Sequence, residues 1–544
     1  MRQTSSQDNE TDAPLPDPQQ YGDSERPGDR KYAVYVLCVL TFVYLLNYLD
    51  RQLLAIVAED VKADLNISDA DLGFLYGTAF AVFYAIFGIP LGRLADIWNR
   101  KNLISVGVTF WSVMTALSGM ARGFTPLAIC RFGVGLGEAS ATPAAGSLLY
   151  DYFPPRVRTT VFSIYQCGNF VGGGLGIFLG GMVLDAWNST WPDPSLAPFG
   201  LRGWQATFML VGLPGVLVAL LVSTLREPVR GRFDTQTEKK PDDESPTQLA
   251  TEVRETLLSM IPFCSWFIMA KRGGGWKSIA LNTLIALMIT AAGIGATWLT
   301  GDKLQWITVG IGLYCVSTWT QVLSLRDRQA FETIFRCPTL LCLYIGGSAI
   351  VFKTVITFWC VPYFQRAFGL EASEVGTTLG LGGMVLGLTG LILGGILADR
   401  LRLKSVRGKL YVMIGGLGSA VLAAAILLLT SNVLIAYIAA LSIYMFGAMA
   451  MGPAVSTAAD LAIPRVRGTA VAFYIMATSL IGTALGPYVI GLVSDAIAST
   501  GVDSAEALRR GMLWGLTMPV VGILALVIAL RFVDRDTARI QEQT

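Results

Sequence analysis

The chain has 544 residues, of which 53% are hydrophobic and only 15% charged, with a formal net charge of +2 and a mean hydropathy of +0.55. Soluble domains carry about 25% charged residues, so this composition excludes a water-soluble globule. The eight cysteines form no Cys-x-x-Cys pair and lie mostly inside apolar runs, which argues against a disulfide framework or a metal site. Histidine is absent, so any proton carried near neutral pH must sit on another group, such as a buried carboxylate.

Residues 1–30 are polar and rich in Pro, Asp and Gln; they read as a disordered cytoplasmic tail without a signal peptide. Six apolar runs long enough to span a bilayer follow within 31–225. Residues 226–256 form a polar linker, and 257–337 hold an interfacial segment and two further runs. Six more runs occupy 338–531, and 532–544 are a second cytoplasmic tail. The expected fold is an all-α membrane protein of 14 helices: two six-helix bundles with two extra transmembrane helices between them.

Charge placement sets the expected orientation. Lys62, Arg122, Arg202, Lys303, Arg366, Arg509 and Arg510 fall on one face, and Arg51, Arg131 and Lys353 fall within spans. The rest of the 41 Lys and Arg lie on the side of both termini, which the positive-inside rule makes cytoplasmic. An internal repeat relates the halves. GRLAD at 92–96 recurs as GILAD at 395–399, and PRVRTTV at 155–161 recurs as PRVRGTA at 464–470. Parallel halves of this kind place a substrate site at their interface near the bilayer midplane.

These residues resemble the major facilitator superfamily. In GRLADIWNRK at 92–101, Gly92, Asp96, Arg100 and Lys101 match the superfamily's signature loop; Asn99 replaces a usual glycine. A second copy stands at Gly395, Asp399 and Arg400. NYLDRQLLA at 47–55, the stretch 68–96 and RFGVGLGEASATPAA at 131–145 are similar to the spinster family. Animal members of that family are linked to export of sphingosine phosphate and lysophospholipids. Residues of the first and fourth helices also resemble organic-anion/proton symporters. The resemblance implies a secondary transporter, and it leaves the substrate open.

A charge at mid-bilayer costs at least about 2.5–3.5 kcal/mol, so such groups face cavities and pair. At a rise of about 1.5 Å per residue, Asp50 lies roughly 13 Å, Arg131 roughly 9 Å and Glu138 roughly 20 Å below the outer boundary. Asp50 is expected to pair with Arg131 or Arg51, and Glu138 to exchange protons or pair with Arg51. Asn47 and Tyr48 adjoin this set. The alternative is a static ion-pair cluster that holds the first and fourth helices together. The repeat maps Asp50 onto Lys353, which could hold a substrate's anionic group, or snorkel. Gly92, Asp96, Arg100, Asp399 and Arg400 are the candidate cytoplasmic gate, with Arg100, Arg158 and Arg467 as partners for the two aspartates.

The functional expectation is therefore a spinster-like secondary transporter in the cell (inner) membrane. It moves a lysolipid, sphingoid or other amphipathic solute by alternating access, proton-coupled through Asp50 and Glu138. A proton-coupled symporter of small organic anions is the alternative, and a non-transporting sensor or scaffold is a third. The expected partners are a small amphipathic or anionic substrate, protons and the bilayer, with no nucleic acid; the expected state is a monomer. No cofactor is expected. GGGWKS at 273–278 places Trp276 where a phosphate loop needs glycine, and no nucleophile–base set suggests an enzyme.

Overall fold

The computed structural model describes residues 27–541 apart from 231–232, 234–250, 252–253, 256, 259, 262 and 464–465. Residues 1–26 of the first tail and most of the 226–256 linker therefore lie outside the described residues, while 27–30 belong to the first helix. The first six helices are α1 (Pro27–Ile56), α2 (Asp69–Ile97), α3 (Arg100–Ser118), α4 in two pieces (Phe124–Glu138 and Ala141–Tyr152), α5 (Pro155–Thr190) and α6 (Gly203–Ser223). Then come α7 (Gly275–Thr300) and α8 (Lys303–Arg326). The last six are α9 (Pro338–Phe368), α10 (Ala372–Arg402), α11 (Gly408–Leu429), α12 (Val433–Asp460), α13 (Arg467–Ala498) and α14 (Ser504–Ala529).

Local chemistry sets the ends of these helices. Ser68 and Asp71 form a capping box at the start of α2, and Asn99 and Asn432 accept from the first backbone N–H groups of α3 and α12. Gly301 and Gly369 close α7 and α9 in the left-handed region, at φ 84° and 65°. Pro143 has no N–H to give the 139 carbonyl, and α4 breaks just there. Turns of π-helix interrupt α2 at Phe74–Thr78 and α10 at Gly376–Leu381. The 303-residue repeat places these two turns at nearly equivalent positions.

Eleven of the helices are long and apolar enough to cross a membrane, and the protein is an integral membrane protein. Outside that set, α4 is broken, α3 opens on Arg100-Lys101-Asn102, and α8 carries Gln305, Thr308, Thr318 and Gln321. In the first half α1 lies along α5, where Gly168, Gly172 and Gly176 leave room for the backbone of Thr41, Leu45 and Leu49. Such small-residue stripes let membrane helices touch. In the second half Gly390 and Gly394 of α10 do the same for Met445 and Met449 of α12. Between the halves, Tyr76 of α2 stacks on Phe358 of α9 at 4.0 Å.

The inserted pair sits on one flank. Only Asn282 of α7 is buried. Helix α8 lies over the seam between α2 and α13, with Gly312 close to Val82 and Leu480. A short helix, Cys264–Lys271, packs beside the pair: Trp266 Nε1 donates to Asn282 (3.1 Å), and Ser265 meets the Tyr314 hydroxyl (2.9 Å). The expected interfacial segment thus includes a helix anchored by polar bonds; residues 257–263 are only partly described. Within the second tail, Val533–Gln541 is helical. Its Asp536 accepts from the backbone N–H (3.0 Å) and hydroxyl (2.7 Å) of Thr339 at the start of α9.

Candidate functional site

Asp50 and Arg51 are neighbours on α1, so their side chains leave the helix about 100° apart and reach different surroundings. Arg51 turns toward α2 and α4. Its Nε donates to Glu138 Oε2 at 2.7 Å. Three rings surround the guanidinium, with centroids 4.7 Å (Tyr48), 4.3 Å (Phe80) and 4.9 Å (Tyr84) away. A cation on several aromatic faces is held by their quadrupoles as well as by the carboxylate. Asn47 is buried beside Glu138.

Asp50 turns toward α3. Thr115 donates to its Oδ2 at 3.4 Å, and Trp111 lies alongside. Arg131, buried at 1% exposure, gives its Nε to the carbonyl of Leu75 at 3.3 Å. Neither Asp50 nor Arg131 forms an ion pair among the described residues, although Arg131 is within electrostatic range of both Asp50 and Glu138. Arg131 Nη1 and Glu138 Oε1 are buried without a hydrogen-bond partner there. The structure thus gathers all four charges into one cluster but forms one pair, Arg51–Glu138. A buried cation and a buried carboxylate without ion-pair partners are costly.

Lys353 of α9 sits in the second half. Its Nζ lies 5.1 Å from the Phe170 ring of α5, its stem packs against Gly447, and it has no ion pair among the described residues. Further ring contacts lie in both halves: Tyr44 stacks on Tyr165 at 4.4 Å, and Phe358 meets Trp359 at 4.9 Å.

The two ends of the bundle differ. At the end bearing the termini, Asp96 is exposed and only 3.9 Å from Arg93. It does not meet Arg100. Arg100 instead binds Asp151 at 2.5 Å, Glu227 at 2.7 Å and the Ser147 hydroxyl at 2.8 Å. Lys409 and Asp460 repeat that pair in the second half, at 2.6 Å. Asp399 and Arg400 are exposed and without ion pairs among the described residues, and Gly92 has ordinary room. Arg158 donates to the carbonyls of Phe153 and Tyr150. The expected gate residues are therefore present but do not join the halves here.

The far end is closed. Arg366 of α9 reaches across to Glu59 and Asp69, both at 2.7 Å. Asp69 also takes Lys62, at 2.5 Å, and the Ser494 hydroxyl, at 2.7 Å. Asp495 of α13 accepts from the backbone N–H groups of Asp69 and Ala70, and Asp185 of α5 accepts from that of Ser373. Phe80 beside Arg51, Thr115 beside Asp50, and this far-end network escaped the sequence reading. One signal was present: Asp185-Ala186 recurs as Asp495-Ala496, in step with the other repeats.

Known proteins place this arrangement. The profile of the Major Facilitator Superfamily matches residues 40–487. An "MFS-type efflux pump" from Mycolicibacterium smegmatis is 25% identical over 518 residues, 94% of this chain and 96% of that protein. The "Sphingosine-1-phosphate transporter SPNS2" of Danio rerio is 26% identical over 94% of this chain and 89% of its own length. The crystal structure of a bacterial homologue of the human lysosomal transporter spinster, inward-facing and unoccupied, superposes with a TM-score of 0.67. It is 25% identical, with 95% of this chain and 98% of that one covered.

Proposed function

We propose, for a chain that belongs to the Major Facilitator Superfamily, that it carries an amphipathic solute with an anionic headgroup across the cell membrane by alternating access, coupled to protons. The reading takes all 14 long helices as spans: two bundles of six, α1–α6 and α9–α14, with α7 and α8 inserted. Both termini lie in the cytoplasm, so the far end faces outward and the closed network makes this an inward-open state. The working unit is a monomer.

One observation carries the reading. Four ionisable groups cluster between α1 and α4, three of them buried, yet only Arg51 and Glu138 are paired. A proton arriving on Glu138 would release Arg51, which could then take Asp50 or a substrate anion. Movement of one arginine would thereby link protonation to helix rearrangement. Lys353, on the opposite half and against Phe170, is the second cation and would receive the headgroup. The rings around Arg51 and the Phe170 ring beside Lys353 would suit an apolar tail, and the spinster likeness, including a relative named as a sphingosine-1-phosphate transporter, fits such a solute.

Uptake or efflux of lysophospholipids and sphingoid phosphates in proteoliposomes, with and without an imposed pH gradient, tests this. Gradient-dependent movement that vanishes in Asp50→Asn and Glu138→Gln supports it; wild-type rates indifferent to pH gradient would refute the coupling. The second reading, symport of small organic anions, draws on the same two cations, Arg51 and Lys353. Sugar acids moving where lipids do not would select it.

A further inference from the structure

The far-end contacts contain a symmetry that a list of ion pairs hides. Helix α2 begins at Asp69, and its first amides are all accounted for. Asp69 N and Ala70 N donate to the carboxylate of Asp495, at 3.0 and 2.8 Å, while Asp71 N donates to Ser68 Oγ at 3.1 Å. Asp495 belongs to α13, in the other half of the molecule. Helix α10 begins at Ala372, and its Ser373 N donates to Asp185 Oδ2 at 2.6 Å. Asp185 belongs to α5, again in the opposite half. The two capping aspartates are related by the same internal repeat as the two helix starts. Each half therefore supplies a carboxylate that caps a helix of its partner half.

We propose that Asp185 and Asp495 are the positioning residues of a two-point outer latch, built from reciprocal caps across the pseudo-twofold. A carboxylate at a helix start satisfies orphan N–H groups and faces the positive end of the helix dipole. Neither cap can survive separation of the halves at this end, because donor and acceptor lie on different bodies. Close approach is built in beside both. Gly491 of α13 lies against the Asp69 backbone, and Gly181 of α5 against that of Ala372, where a Cβ would collide. The Asp495 point is the stronger, since Arg366 also ties Asp69 to Glu59. The latch holds the inward-open state until charge movement in the cavity or substrate binding outweighs it.

Hydrogen exchange of the intact protein in nanodiscs, followed on peptides spanning 66–76 and 371–378, reads the latch directly and needs neither substrate nor gradient. It is therefore independent of the transport reading. In a coupled latch, Asp495→Asn accelerates exchange not only at Asp69 and Ala70 but also at Ser373. Asp185→Asn likewise accelerates exchange at Asp69 and Ala70. The expected size is about tenfold, the factor equivalent to 1.4 kcal/mol, with unchanged exchange in α3 and α6 as the folding control. Acceleration confined to the amides of the substituted cap, or none at all, overturns the proposal. If Asp495→Asn fails the folding control, Asp185→Asn, which removes a single bond, decides by its effect at Asp69 and Ala70.

Discussion

In the first half, Asp50, Arg51, Arg131 and Glu138 crowd one wall; at the matching position in the second half stands Lys353, with no acidic partner among the described residues. At the end bearing the termini the contrast is one of burial. Arg100 is 1% exposed between Asp151 (11%) and Glu227 (23%), whereas Lys409, 7% exposed, has Asp460 as its one ion-pair partner among the described residues, and Asp460 is 37% exposed. A repeated scaffold has thus been given two chemistries. One half holds four clustered charges with a single ion pair, and the other a cation against the Phe170 ring with no ion pair among the described residues. The likeness lies in the helices and their caps, and the difference in what the cavity-facing positions carry.

Four measurements would break or sharpen that contrast. Glu138→Gln and Asp50→Asn should abolish gradient-driven transport in proteoliposomes while leaving folded, monodisperse protein, and substitution of Lys353 should not remove the pH dependence. Full proton-driven rates in either carboxylate variant would dissolve the division of labour. Next, Arg100→Ala removes a buried cation from two carboxylates and should destabilise the protein by about 3–5 kcal/mol. Lys409→Ala removes a buried cation from one carboxylate that is itself solvated, and should cost less, about 1–2 kcal/mol; thermal unfolding in detergent compares them. Equal losses would mean that burial does not separate the two pairs.

Smaller again, Lys353→Ala should weaken transport of an anionic amphiphile roughly tenfold, the effect of losing a contact of about 1.4 kcal/mol, and spare a neutral analogue. Competition assays with matched lipids would show it. The least effect concerns Asp536, outside the spans. Burial pushes its carboxyl up, but the hydrogen bonds from Thr339 and Cys337 outweigh this and hold it below the usual carboxylate range. A depressed value in the folded state stabilises docking above the unfolded value, and that stability is lost as pH falls through the folded one. Protease sensitivity of the C-terminal helix should therefore rise only in strongly acidic buffer, and Asp536→Asn should raise it at neutral pH.

How much of this was legible beforehand follows from what each residue needs. Charges in apolar runs announce themselves, because the bilayer penalises them whatever their partners; hence Asp50, Arg51, Arg131, Glu138 and Lys353 could be picked out. Their pairing could not, because it depends on helix rotation. Asp50 and Arg51 are adjacent, and nothing in their order says that one faces Thr115 and the other Glu138. The signature loop could be recognised, yet the partner of Arg100 lies 51 residues on, at Asp151. The repeat of that pair at Lys409 and Asp460 was visible in the numbering, but only contact gives it meaning. The broken α4 shows the same limit, since Pro143 was in plain view while the run read as one span.

The position of α8 has a mechanical consequence. Its aromatic and polar attachments go to the second half: Trp306 to Tyr488, Trp319 to Phe473, and Asp302 to the Tyr488 hydroxyl at 2.6 Å. Toward α2 of the first half it packs closely too, with Gly312 tight against both Val82 and Leu480. Helix α8 therefore bridges the seam instead of belonging to one bundle. A strut fastened to both sides of one flank, with no counterpart across the α5–α10 contact among the described residues, makes the two flanks mechanically unequal, so any parting of the bundles would be hinged toward the strutted side.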